Sequence, residues 1–171
     1  MRNVLFAMKP KTKDFLVYTR PNGGRIKLPN EVIRSVHEYV QNERHKSEAG
    51  GVMMGRYILN SPDVVIDKIT FPMSGDKATR TTFFRKKLAH QTIIDREWEA
   101  SGNTCTYLGE WHTHPEAYPS PSYIDMFGWK KKLKKDIFDS DSLFFLIAGT
   151  VEMRMWEGHK CSKTISMLKL S

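Results

Sequence analysis

The stretch from Thr104 to Lys135 constrains the fold most. Residues Thr104 to His114 have the composition of a strand, and three prolines follow at positions 115, 119 and 121. Proline gives no ladder N–H and breaks a helix interior, so the strand must end near His114. From Ser122 to about Lys135 the chain reads as a helix. A strand therefore hands over to a helix through a seven-residue proline-rich connection. That connection folds the helix start back over the strand end. On a strand, residues i and i+2 project from one face, so His112 and His114 stand side by side there.

The remaining segments supply a mixed setting for this unit. Asp14 to Thr19 and Arg25 to Leu28 alternate like strands around the turn signal Pro21-Asn22-Gly23-Gly24. Val32, Ile33, Val36, Tyr39 and Val40 form a helical stripe after Pro29-Asn30, with Asn30 as the expected N-cap. Glu48 to Leu59 reads as a strand whose Gly50, Gly51 and Gly55 mark close approach of a backbone or a ligand. Val64 to Phe71 is a further strand. Residues 72–82 are a polar loop, and Phe84 to Ala100 is a helix. Ser142 to Thr150 and Val151 to Glu157 close the series as strands. Hairpins mixed with helical crossovers predict an α/β fold of mixed, α+β-like character. With 171 residues and 40% hydrophobic composition, one domain over 1–171 is expected, with 1–13 as a flexible leader.

Several classes drop out. No apolar run approaches the ~20 residues of a membrane-spanning helix. The apolar run near the N-terminus, Val4 to Met8, is too short for a signal-peptide core. Cys105 and Cys161 make neither a C-x-x-C pair nor a disulfide framework. These features predict a cytoplasmic protein. The net charge of +8 raises an acidic protein, a membrane surface or nucleic acid as partner. No basic stripe interleaved with aromatics supports nucleic acid.

Two imidazoles on one strand face are a usual start of a metal site. Asp125, in the first turn of the next helix, adds a carboxylate. Two histidine nitrogens and one carboxylate oxygen match a catalytic zinc site with a position left for water, whose pKa such an ion lowers to ~7. A hydrolase then needs a group to carry the proton, and Glu48, opening the glycine-rich strand, is the best candidate. Ser122 could support a developing oxyanion. Each residue has a plainer role available. Ser122-x-x-Asp125 is also a capping-box-like pattern, and Glu48 alone would be an ordinary carboxylate. From this chain's own residue frequencies, H-x-H-x7-S-x-x-D arises by chance in roughly one such chain per thousand. Coincidence is the weaker explanation.

The set Glu48, His112-Thr113-His114-Pro115 and Ser122-x-x-Asp125 resembles the JAMM motif of the JAB/MPN-domain metalloproteases. The segments Glu48-Ala49-Gly50-Gly51, His90-Gln91-x-x-Ile94-Asp95 and Thr104 to Glu116 resemble a prokaryotic branch found with integrative conjugative elements and type II CBASS antiphage operons. The resemblance spans about Arg25 to Glu157. It implies the MPN fold, a cytidine-deaminase-like curved mixed sheet flanked by helices. It implies zinc-dependent cleavage of isopeptide or peptide bonds after the C-terminal tail of ubiquitin or a ubiquitin-like protein. In the CBASS branch the conjugated protein is a cyclic-nucleotide synthase (CD-NTase), attached by a ubiquitin-transferase-like enzyme. Position by position, His112, His114 and Asp125 would bind one zinc ion, Glu48 would be general acid/base and Ser122 would support the oxyanion. A bacterial ubiquitin-like modifier is the alternative substrate. A catalytically silent MPN scaffold ranks below, because silent members lose ligands and this chain keeps all five positions.

Other features carry less. Glu110 shares parity with both histidines, which makes it a rival base or a residue supporting the ligands. Cys105 lies seven residues from His112, an odd offset that faces the two apart on a regular strand; a bulge at Gly109 could reverse this. His37, His45, His90 and His159 show no paired spacing. The block Trp129 to Lys135 reads as a helix with Ile124 or Phe127, Trp129 and Leu133 inward and lysines in solvent, beside the candidate site. The residues that would grip a substrate are not legible.

Overall fold

A computed structural model describes residues 14–171. The leader expected at 1–13 lies outside the described residues. The chain runs β1 (Phe15–Thr19), β2 (Arg25–Pro29), α1 (Asn30–His37), β3 (Gly50–Tyr57), β4 (Val64–Ile69), β5 (Lys77–Ala78), β6 (Phe83–Phe84), α2 (Lys87–Ala100), β7 (Thr106–Thr113), α3 (Tyr123–Lys135), β8 (Ser142–Ala148), β9 (Met153–His159), β10 (Ile165–Met167) and β11 (Lys169–Leu170). Nine strands form one sheet in the order β10-β9-β8-β7-β3-β4-β2-β1-β11. The pairs β2–β4 and β7–β8 are parallel and the rest antiparallel. This is the mixed α/β architecture that the segment order predicts.

Side-chain alternation explains the layers. Along β8, Phe144, Leu146 and Ala148 join a core with Val32 and Val36 of α1. Leu143, Phe145 and Ile147 point the other way, onto Trp129 and Leu133 of α3. A strand covered on both faces needs a continuous apolar run, and β8 has one. Val52, Met54 and Cys105 pack under Ile93 and Ile94 of α2. Helix α1 thus covers one face, while α2 and α3 lie on the other.

Three expectations change. Helix α1 starts at Asn30, with Pro29 as N-cap and no side-chain cap, and ends at His37. Val40 stays buried in the turn that follows. Helix α2 starts at Lys87 because Phe83 and Phe84 pair instead with Ala78 and Lys77. The polar loop is thereby a small hairpin, β5–β6. The close approaches at Gly51 and Gly55 are to backbone: an added Cβ would lie 2.1 Å from the Thr70 carbonyl oxygen and 1.9 Å from that of Val65. The bulge is real. Met53 pairs with Gly109 and Met54 with Tyr107, so Leu108 is extra, and Gly109 takes φ +146°.

Asp76 fastens the hairpin. Its carboxylate accepts N–H bonds from Met73 (2.7 Å) and Lys86 (2.7 Å) and lies 3.0 Å from His90 Nε2. Burial alone would raise its pKa, but the backbone N–H bonds and His90 outweigh burial and lower it. A carboxyl depressed by folding stabilises the fold above its unfolded pKa of about 3.9, and that gain is lost as pH falls through the folded value. Asp76→Asn should lose about 2 kcal/mol at neutral pH. In urea melts the gap from the parent should close below pH ~4.

Candidate metal centre

Strand β7 lies inside the sheet, with His112 opposite Gly50 of β3 and beside Ile147 of β8. The ladder continues past its end, where the His114 N–H donates to the Ala148 carbonyl (3.0 Å). Both histidines therefore sit on backbone held from two sides. The proline-rich connection is laced to the β8–β9 turn by Thr150 N–H to Glu116 O (2.8 Å) and Val151 N–H to Ala117 O (3.2 Å). It delivers α3 with Ser122 as N-cap.

The cap is a full capping box. Asp125 N–H donates to Ser122 Oγ (3.1 Å), while Ser122 N–H and Oγ–H both donate to Asp125 Oδ2 (2.6 Å each). The capping and site readings of Ser122 thus concern one hydroxyl, and here it turns toward Asp125. That carboxylate is aimed at the strand end. Its Oδ1 lies 3.2 Å from His112 Nε2, and its Oδ2 lies 3.3 Å from His114 Nε2. The two Nε2 atoms are 3.0 Å apart. Ligands held ~2.0–2.1 Å from a tetrahedral ion stand about 3.3 Å from one another. The two nitrogens stand slightly closer than that spacing, and each lies near it from a different oxygen of the Asp125 carboxylate. The donors, two imidazoles and a carboxylate, suit zinc chemistry. His112, His114 and Asp125 could hold a metal ion.

Electrostatics fix these groups. Burial would raise the Asp125 pKa, yet hydrogen bonds with His112, His114 and Ser122 hold it far below the usual carboxylate range. Burial opposes charging His114, but Asp125, Glu48 and Glu116 push its pKa up. Glu116 Oε2 lies 3.0 Å from His114 Nδ1 and orients the ring from behind. Glu48 is 5% exposed, with Oε1 3.6 Å from His114 Nε2. Burial pushes its carboxyl up to about 8, a value suited to proton transfer near neutrality.

Glu48 is placed by contacts that its sequence position does not announce. Its N–H donates to Thr79 O at the hairpin (2.8 Å). Next to it, Ala49 N–H donates to Thr113 Oγ1 (3.0 Å), and that hydroxyl donates to Gln41 Oε1 (3.2 Å). Gln41 Nε2 donates to the Arg80 carbonyl (2.8 Å). Buried Gln41 therefore ties the hairpin to the residue between the two histidines. A lone glutamine in a turn gives no motif by which to find it.

Glu110 projects toward the same side as His112 but is committed elsewhere. Arg85 Nε (3.2 Å) and Lys132 Nζ (3.3 Å) both reach its carboxylate. Burial would raise its pKa, and the two cations outweigh it and lower it. Among the described residues Glu110 hydrogen-bonds to neither histidine. Cys105 lies just ahead of β7, seven residues before His112, and packs with Val52 and Met54 against Ile93 and Ile94 of α2. It is buried, and burial pushes its thiol pKa up, the reverse of an activated nucleophile.

A cleft of about 540 Å³ opens from His112, Asp125 and Glu48 and runs between α3 and the β6–α2 junction. Ile124 and Phe127, one of which was expected to face inward, are exposed and line it. The buried face of α3 is made by Trp129 and Leu133, with the Trp129 ring stacked 4.5 Å from Phe145.

Residues 29–158 match the family model described as prokaryotic homologs of the JAB domain. A protein of Escherichia coli (strain TW11681) named CD-NTase/cGAS isopeptidase is 31% identical over 154 residues, 90% of this chain and 94% of that protein. One of the same name from Vibrio cholerae is 30% identical, also over 90% and 94%. A probable metalloprotease, y4qB of Sinorhizobium fredii, is 39% identical over 47% of this chain and 49% of its own. The solution structure of protein DSY2949 from Desulfitobacterium hafniense overlays with a TM-score of 0.56 at 18% identity. It covers 82% of this chain and 87% of its own, a likeness of fold. The chain belongs to the prokaryotic JAB-domain family.

Proposed function

We propose that residues 1–171 act as one zinc-dependent isopeptidase unit. In this reading His112, His114 and Asp125 hold zinc, Glu48 is the general acid/base and Ser122 supports the oxyanion. The observation that carries it is the convergence of two imidazoles and one carboxylate, with the Nε2 atoms 3.0 Å apart and each 3.2–3.3 Å from one of the two Asp125 oxygens, beside a buried Glu48 at the mouth of a cleft. The metalloprotease and isopeptidase names among its relatives support a hydrolase of the peptidase class with a protein substrate.

When bound, the metal supplies Lewis acidity and a water that ionises near neutral pH. The protein's residues do the rest. Glu48 Oε1 accepts the proton of the attacking water. The water oxygen bonds to the scissile carbonyl carbon, and the carbonyl oxygen takes the charge. Ser122 can turn its hydroxyl from Asp125 toward that oxygen. Glu48 then returns the proton to the amine nitrogen as the C–N bond breaks. Glu116 keeps the His114 ring in register throughout.

The substrate favoured is a protein conjugated through the C-terminal tail of a CD-NTase, with a ubiquitin-transferase-like enzyme making the conjugate. The two relatives of matching name and length support this choice. A cytoplasmic setting agrees with the free thiols at Cys105 and Cys161 and with the lack of a membrane-length apolar helix among the described residues. The test is cleavage of a fusion that joins a CD-NTase C-terminus to a reporter. Cleavage should vanish after chelation and return with added zinc. Full cleavage by a preparation shown by elemental analysis to be metal-free would sink the reading.

A further inference from the structure

Helix α3 holds a residue that no packing among the described residues explains. Gly128 lies mid-way along this thirteen-residue helix, and glycine is among the poorest helix formers. Among the described residues, and apart from the helix's own backbone, a Cβ there would meet only the tip of Lys132, at 4.0 Å. The contrast with Gly109 is sharp, where a Cβ would sit 1.8 Å from the Phe144 carbonyl oxygen. Gly128 faces the cleft, between exposed Ile124 and Phe127 on one side and Lys131 and Lys135 on the other. A bare patch of helix backbone on a cleft wall permits close approach of another main chain.

The charge on that wall is unbalanced. The four acids lining the cleft are engaged: Glu110 by Arg85 and Lys132, Asp136 by Lys87 at 3.6 Å, Asp125 by the histidines, and buried Glu48 by His114 at 3.6 Å. Lys131 and Lys135 form no ion pair among the described residues. One helical turn separates them, so they present two positive charges along a single line. About 540 Å³ accommodates a few extended residues rather than a folded body.

We infer that this cleft is a groove for an extended acidic polypeptide segment, whose main chain crosses α3 at Gly128 and whose carboxylates meet Lys131 and Lys135. Ile124 and Phe127 take apolar side chains nearer the metal centre. The inference rests on the peptidase reading for what happens to the segment, but its binding does not depend on cleavage. The same charge makes the groove select against a lysine- or arginine-rich tail.

The probes are short fluorescein-labelled peptides ending in glycine, identical except for glutamates or lysines at the same positions, and the matching fluorogenic amides. By anisotropy the glutamate peptide should bind about tenfold tighter than the lysine peptide at low salt, with the gap shrinking as salt rises. Lys131→Glu combined with Lys135→Glu should reverse the preference while thermal melting confirms folding. Lys131→Gln with Lys135→Gln should merely abolish it. Gly128→Ala should raise Tm by about 3 °C, since it removes a poor helix former without a clash. It should also weaken binding of the glutamate peptide about tenfold, because the new methyl occupies the crossing point. Equal binding of the two peptides, or Gly128→Ala with unchanged affinity or a lowered Tm, would overturn the groove. So would tighter binding of a single-stranded oligonucleotide than of the glutamate peptide. Cleavage without charge preference leaves the peptidase reading standing and removes the groove; charge-selective binding without cleavage does the reverse.

Discussion

Glu48→Gln should lower kcat by ~10²–10⁴ while KM and bound metal stay near parental values. That loss corresponds to about 3–5 kcal/mol of transition-state stabilisation. Glutamine has nearly the same volume, so the contact of its N–H with Thr79 and the packing around it should persist. What disappears is a group able to take and return a proton 3.6 Å from His114. Glu110→Gln is the internal control. It frees Arg85 and Lys132 from their shared carboxylate and should alter substrate binding and stability more than turnover. Kinetics of the two variants on one substrate decide the matter. Retained turnover in Glu48→Gln with loss in Glu110→Gln would exchange the two assignments.

Asp125→Asn should reduce bound metal per chain and cut kcat/KM by more than ~10²-fold, since loss even of an outer partner of a ligand costs 10–100-fold. The amide keeps the shape but removes the negative charge between His112 and His114. It also weakens the capping box, for about 1 kcal/mol of helix stability. Ser122→Ala separates these effects. It removes the cap oxygen and the 2.6 Å donor to Asp125, yet leaves the three ligand atoms in place. Its metal content should hold while turnover and melting temperature fall. Elemental analysis beside thermal melts reads both variants. Asp125→Asn with one metal per chain and half its activity would exclude Asp125 as a ligand.

The parts of this arrangement that were readable from sequence are those set by local periodicity. The i, i+2 spacing of His112 and His114 fixes their common face once the segment is a strand. The prolines end that strand, and the Ser122-x-x-Asp125 pattern states its own cap. The apolar run Leu143 to Ala148 announces a strand, and the structure shows it buried on both faces. The unread parts depend on partners distant in the chain. Phe83 and Phe84 are compatible with a helix start and become strand only by pairing with Ala78 and Lys77. Strands β10 and β11 are short and largely exposed, so their pattern carries little signal. Ile124 and Phe127 look like core residues on a helical wheel, but Trp129 and Leu133 already fill the interface with Phe145 and Trp156. Glu110 matched the histidines in parity, and only the folded chain brings Arg85, 25 positions earlier, onto its carboxylate.

The two halves of the centre should run on different clocks. The amides of His112, Thr113 and His114 are locked into ladders with β3, Ala49 and Ala148. In deuterium exchange they should open only with the whole molecule, on the slowest timescale the protein has. Glu48 hangs from Thr79, in a two-rung hairpin whose strand residues Lys77 and Ala78 are exposed. Its amide should exchange through local opening, far faster. A pair of imidazoles that is rigid before an ion arrives spends little entropy in capturing it. A proton carrier on a looser tether can be withdrawn and returned without disturbing that pair. Loading of the site and readiness to react would then be separate events, and time-resolved exchange with and without zinc would show them parting.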